Sequence, residues 1–98
     1  MKNIISDINK AFENRVRLGI MSILMVNEDV DFNTMKETLD LTDGNLASHL
    51  KALELIEYIS MNKEFVGRKP RTSYSVTELG KLSFKNHLHA LEKLIKGE

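Results

Sequence analysis

At Tyr58 the spacing of apolar residues along this chain drops from three and four to two, and at Thr77 it returns to three and four. No single regular element survives that change, because side chains repeat every 3.6 residues in a helix and every 2 in a strand. An extended segment therefore interrupts a helical chain. Ile59, Met61, Lys63 and Phe65 alternate with Ser60, Asn62 and Glu64, and Thr72, Tyr74 and Val76 alternate with Arg71, Ser73 and Ser75. Between the two runs, Val66-Gly67-Arg68-Lys69-Pro70 holds a glycine and the sole proline. The pattern predicts a hairpin over 58–76 with its turn at 66–70.

Ahead of the hairpin, Ile4 or Ile5, Ile8, Phe12, Val16, Ile20 and Ile23 recur at helical spacing. They predict one helix over 1–27, or two short ones broken near Glu13-Asn14. Val30-Asp31-Phe32 suffices only for a minor strand. Thr34 followed by Glu37 has capping-box spacing and opens a short helix to Leu39 or Asp40. Thr42 then caps the next helix, whose first turn carries Asp43, a charge suited to the helix dipole. In that helix Leu46, Leu50 and Leu53 fall within about 40° of one another. Ser48, Lys51, Ala52 and Leu55 point the other way, and Asn45 and His49 flank the leucines. Thr77 caps a last helix to about Lys96, in which Phe84, Leu88, Leu91 and Ile95 recur at 4, 3 and 4, with Leu94 beside them. That seam resembles a coiled-coil stripe. The expected class is mainly α with a small β-hairpin (α+β), ordered α-(β)-α-α-β-β-α, in a single domain over 1–98.

Ninety-eight residues of which 42% are apolar suit one small core and leave no room for a second. With no cysteine, a disulfide framework, a thiol nucleophile and a thiolate zinc site are excluded, and the cytoplasm is the default compartment. The longest apolar stretch, Leu18 to Val26, is far short of the roughly 20 residues of a membrane span, so no membrane partner is expected. Fourteen basic residues balance 14 acidic ones, which by itself argues against nucleic acid. Summed by segment, the balance dissolves. Residues 1–40 hold 5 basic against 7 acidic, whereas 61–75 hold 4 against 1: Lys63, Arg68, Lys69 and Arg71 oppose only Glu64. The hairpin has a basic tip.

Long helix, short strand, two helices joined by a tight turn, basic-tipped hairpin and closing helix form the layout of a winged helix-turn-helix. From Asn14-Arg15-Val16-Arg17-Leu18, through Leu41 to Glu54, and on through Phe65 to Thr72 and Tyr74 to Lys81, the chain resembles the winged-helix transcriptional regulators of the MarR and ArsR kind. The resemblance covers roughly residues 11–82 and rests on the combination of motifs. It implies a sequence-specific, double-stranded DNA-binding regulator with helix-turn-helix over 34–56, wing over 58–76 and a dimerisation helix over 77–96. A helix about 10 to 12 Å wide fits the major groove, where its first turns meet base edges. Gly44, Asn45, Ser48 and His49 occupy those turns: Asn45 suits adenine, Ser48 either base type, and His49 a guanine acceptor or a phosphate. Lys51 suits the backbone. Thr34 and Thr42, at helix starts, are candidate phosphate contacts, although capping alone would account for both. Lys63, Arg68, Lys69, Arg71 and Thr72 belong to the wing, which meets an adjacent phosphate or minor groove. His49, at the edge of the leucine face, also admits a purely structural role. Family members usually carry glycine where this chain has Glu57, so the helix is expected to run on or the wing strand to enter at a different angle.

His87, His89 and Glu92 raise a metal site of the kind some ArsR-type sensors place on this helix. Residues 87 and 89 lie about 200° apart, and matching ligands earlier in the helix are missing. No metal and no cofactor is expected, and the three are read as solvated surface. No phosphate loop, nucleophile elbow, HExxH or carboxylate cluster marks an enzyme. The competing reading is a winged helix that binds protein without DNA specificity; the basic tip favours DNA. Ile4, Ile5, Ile8 and Phe12 with Phe84, Leu88, Leu91 and Ile95 are expected to form a two-fold dimer interface that presents two recognition helices to a near-palindromic site. The alternative arrangement packs the last helix on the first within one chain. A repressor acting by occupancy is favoured, and any small-molecule effector would bind between the terminal helices and the reading domain, by analogy with the family.

Overall fold

The computed structural model describes residues 5–97. Asn9 caps a single 3-10 turn over Lys10–Phe12, its side chain accepting from the Ala11 N–H at 2.9 Å. Asn14 caps α1 (Arg15–Met25) by accepting from the Val16 and Arg17 N–H groups at 2.9 and 3.1 Å. Of the two readings of this region the broken one holds, and the break falls at Glu13-Asn14. β1 (Val30–Asp31) is the expected minor strand. α2 (Phe32–Leu39) starts two residues before Thr34, with Asp31 as its cap. The Asp31 carboxylate accepts from the Thr34 N–H at 3.3 Å and also from the Thr34 hydroxyl. The capping-box spacing misplaced this start because a carboxylate at Asp31 offers the helix N-terminus a full negative charge, which a threonine does not.

α3 (Asp43–Leu55) begins as expected, with the Thr42 hydroxyl accepting from the Asn45 N–H at 3.2 Å. Its end departs from expectation. The helix stops at Leu55, and Glu57 takes the left-handed conformation at φ 63° despite carrying a side chain. The Tyr58 N–H reaches the Leu53 carbonyl at 3.0 Å and the Glu57 N–H the Glu54 carbonyl at 2.9 Å, the paired bonds with which helices usually end on glycine. Satisfying those two carbonyls outweighs the strain at Glu57.

β2 (Ile59–Val66) and β3 (Lys69–Val76) pair antiparallel, and β1 joins the other edge of β3, giving a three-stranded sheet in the order β1-β3-β2. Val66 pairs with Lys69, so the turn is only Gly67-Arg68 rather than 66–70. Gly67 lies at φ 67°, the conformation a two-residue hairpin turn requires and glycine adopts without penalty. Thr77 caps α4 (Glu78–Lys96), accepting from the Gly80 N–H at 2.9 Å.

The leucines of α3 meet Ile20, Met21 and Leu24 of α1, Met35 of α2, and Ile59 and Tyr74 of the sheet. Phe12 and Phe84 complete this core, edge to face with centroids 5.2 Å apart. Both were expected at a dimer interface; at 0% and 4% exposure they have no surface left for a partner. α4 presses on the root of the hairpin through Gly80, where an added Cβ would lie 2.0 Å from the Tyr58 carbonyl oxygen. Among the described residues no helix is long and apolar enough to cross a membrane.

Candidate nucleic-acid interface

The first two turns of α3 turn a polar face outward because the three leucines take the opposite face inward. Gly44, Asn45, Ser48 and Lys51 are exposed, and nothing lies within 4 Å of a Cβ built on Gly44. The side chains of Asn45, Ser48 and Lys51 have no partner among the described residues. Asp43, just ahead of them, pairs with Lys36 of α2 at 2.9 Å, which ties the two helices of the turn together. Thr42 is exposed, its oxygen engaged in the cap.

His49 is half-buried, and its Nδ1 accepts from Arg17 Nε at 3.1 Å. Burial first, and then the Arg17 charge, push its pKa below the usual 6.5. The ring is therefore neutral at pH 7, with its proton on Nε2 as the one donor left for a partner. Thr34 is exposed, but its hydroxyl is given to Asp31, whose carboxyl this bond holds below its ordinary pKa. The start of α2 thus faces outward with a carboxylate.

The wing divides in two. Arg71 donates to Glu64 at 2.9 Å and to Asp29 at 3.2 Å, so it is committed to fastening the loop before β1 to the hairpin. Thr72 beside it is half-buried. Lys63, Arg68 and Lys69 are exposed and have no ion pair among the described residues. The basic tip therefore consists of three free cations rather than four. The Glu64–Arg71 pair was detectable: a two-residue turn at Gly67-Arg68 sets these residues directly opposite each other, where unlike charges attract. The Asp29 and Arg17 contacts had no such local signal. Phe65 and Val66, 75% and 61% exposed at the tip, were also missed as surface groups, because alternation alone does not say where a hairpin leaves the core.

On the last helix, Gly80, Phe84, His87 and Ala90 face the core, while Leu88 is 46% and Ile95 86% exposed. Leu91 and Ile8 are half-buried, Ile5 is exposed, and Ile4 lies outside the described residues. His87, expected on the solvated surface, is buried at 3% exposure with its Nδ1 accepting from the Asn9 N–H at 3.1 Å. Asn9 Nδ2 in turn donates to the Tyr58 hydroxyl at 2.9 Å, so one asparagine joins α4 to the root of the wing. Burial lowers the His87 pKa, partly opposed by Glu13. No group of three or more potential metal ligands gathers among the described residues. The space between the N-terminal segment and α4 is a polar groove of about 460 Å³, lined in part by Asn9, Asn86, His89 and Lys93.

The sequence pattern of the winged helix DNA-binding domain family matches residues 16–95. An uncharacterized protein of Methanocaldococcus jannaschii is 37% identical over 87 residues, spanning 89% of this chain and 95% of that protein. Among solved structures, the transcriptional regulator homologue protein from Pyrococcus horikoshii OT3 is 34% identical, with a TM-score of 0.85 over 96% of this chain and 91% of that one. Overoxidized AbfR bound to DNA is 17% identical with a TM-score of 0.70, covering 80% of this chain and 57% of that one, a likeness of fold.

Proposed function

Because this chain belongs to the winged helix DNA-binding domain family, we propose that it is a transcriptional regulator that reads double-stranded DNA with the head of α3 and holds it with the wing tip. The observation that carries this reading is a pairing of two surfaces. Among the described residues, Asn45, Ser48 and Lys51 stand exposed and unpartnered at the start of one helix, and Lys63, Arg68 and Lys69 stand without an ion pair at the tip of one hairpin. Asn45 offers a donor and an acceptor to adenine, Ser48 adapts to either base type, and Lys51 reaches phosphate. The open space around Gly44 lets the helix backbone approach the groove edge. His49 contributes at most one neutral hydrogen bond, and Arg71 acts through the shape of the wing.

The regulator works as a dimer that represses by occupying its site. Leu88 and Ile95, exposed along α4 with half-buried Leu91 between them, support the seam, whereas Ile8 lines the groove on the other side of α4 with Asn86, His89 and Lys93. An exposed apolar row of that kind is a liability on a lone chain. Two-fold pairing presents two α3 helices to successive major grooves and so selects a near-palindromic site. Sedimentation at micromolar concentration should give twice the 11.2 kDa of one chain, and a particle of 11.2 kDa would remove the dimer.

Selection of bound sequences from random duplexes, repeated with Asn45→Ala, tests the reading itself. The expected result is a defined half-site whose preference relaxes at one base pair in the variant, at a cost of about 1 to 3 kcal/mol there. Failure of the protein to retain any duplex at low salt would instead favour a protein-binding winged helix.

A further inference from the structure

The wing tip carries two large apolar side chains that a clamp for phosphate does not need. Phe65 and Val66 close β2 at 75% and 61% exposure, directly before the Gly67-Arg68 turn. In the pairing register Phe65 stands opposite Pro70 and Lys63 opposite Thr72, so these four side chains share one face. Val66, Lys69, Glu64 and Arg71 take the other. The hairpin thus ends in an apolar plate of Phe65 and Pro70, with Lys63 behind it and Arg68 in the turn ahead. Its place opposite Pro70 in the register gives the aromatic a cross-strand neighbour, but Phe65 stays 75% exposed, which costs solubility and adds little to the fold.

The surroundings of the plate identify its partner. Within the seven residues from Lys63 to Lys69 there are three cations without an ion pair among the described residues and one carboxylate, Glu64, which Arg71 takes. A polyanion with an apolar interior answers both features, since the phosphates of a duplex flank stacked bases. The minor groove, about 6 Å wide, admits the edge of a two-stranded tip but not a helix. The register pairs Phe65 with Pro70 and Val66 with Lys69, so the ring sits on a paired strand rather than in a loop.

Resting on the DNA-binding reading above, we infer that Phe65 is a wedge. Its ring enters the minor groove beside the stretch read by α3 and partly unstacks one base step. Such insertion is cheapest at pyrimidine–purine steps, which unstack and kink readily. Phe65 therefore makes the chain select flexible steps such as TA under the wing, at positions where no hydrogen bond distinguishes the bases.

Synthetic duplexes of equal length and composition, differing only in whether a TA or an AT step lies beneath the wing, test this with 2-aminopurine placed at the step. The wild-type chain should raise 2-aminopurine fluorescence and bind the TA duplex about tenfold more tightly, the usual scale of one discriminated base pair. Phe65→Ala should abolish the rise and the preference while leaving the salt dependence of binding unchanged. Phe65→Lys, which adds charge in place of the ring, should bind both duplexes equally well. Phe65→Ala retaining the fluorescence rise, or a wild-type chain that binds salt-dependently with neither rise nor preference, would overturn the wedge and leave the DNA-binding reading standing. A shift of the DNA-free chain to a smaller particle in Phe65→Ala would assign the ring to protein contact and overturn the wedge as well. Absence of wild-type binding to either duplex at low salt would remove both readings together.

Discussion

Arg68 and Arg71 stand three residues apart in one hairpin and serve opposite ends of it. Arg71 faces the body of the protein and is held by Glu64 and Asp29, whereas Arg68, in the turn, has no counter-ion among the described residues. The same division runs through the whole wing. At the root, Ile59 and Tyr74 are buried, Gly80 lets α4 lie against the Tyr58 carbonyl, and Asn9 links Tyr58 to His87. From Ser60 to Pro70 every residue is exposed. The root is built for the fold, and the tip is left for a partner. Residue type alone does not separate the two, since both carry cations and aromatics; what separates them is whether each group already has its partner.

The largest expected effect lies at the root. Gly80→Ala places a Cβ 2.0 Å from a backbone oxygen that cannot swing away, so α4 must shift. Overpacking of this kind costs about 3 kcal/mol, on the order of 15 °C in melting temperature for a domain of this size. A melting temperature unchanged from wild type would mean that α4 does not seat on the wing root.

Acid should loosen the fold next, at the wing root through His87 and between α1 and α3 through His49. Burial lowers the pKa of His87 and of His49 below the ordinary 6.5, so the unfolded chain binds protons that the folded chain refuses. The contribution of these two histidines to stability is complete above 6.5 and is lost as pH falls below it toward the depressed native values. The slope is bounded by about 1.4 kcal/mol per pH unit for each histidine, the limit set by one proton's difference. Chemical denaturation between pH 7 and 5 should show the decline, and His87→Gln should flatten part of it. An equally steep decline in the variant would place the sensitivity elsewhere.

A gain is expected at the turn that launches the wing. Glu57 holds φ 63° with a side chain attached, so Glu57→Gly should raise stability by about 1 kcal/mol. Equilibrium unfolding that shows a loss instead would mean that the Glu57 side chain contributes more than its strain takes away.

Much of this was readable from the sequence, for reasons that particular residues make plain. The change of period at Tyr58 and Thr77 located the wing and its neighbours, and the Leu46, Leu50 and Leu53 face fixed the orientation of α3. What escaped was partnership. The stripe Phe84, Leu88, Leu91, Ile95 and the inward face Phe84, His87, Ala90 share a residue, and the inward one is hidden because histidine and alanine advertise no core. The basic tip was overcounted by one because the hairpin register, which pairs Arg71 with Glu64, hangs on a turn length that proline and glycine suggest only loosely. Phe12 was assigned to the outside because its packing against Tyr58, Phe84 and His87 joins segments far apart in the chain.

The difference between tip and root is tested most directly by the salt dependence of duplex binding, measured for the wild-type chain, Arg68→Ala/Lys69→Ala and Arg71→Ala. Each phosphate contact contributes about one unit to the slope of log affinity against log salt. The tip double variant should melt like the wild type and lose about two units of slope per bound chain. Arg71→Ala should melt at a lower temperature and keep the wild-type slope at temperatures where it is folded. A double variant with the full slope, or an Arg71→Ala protein that is as stable as wild type and loses slope, would contradict the division on which the functional reading rests.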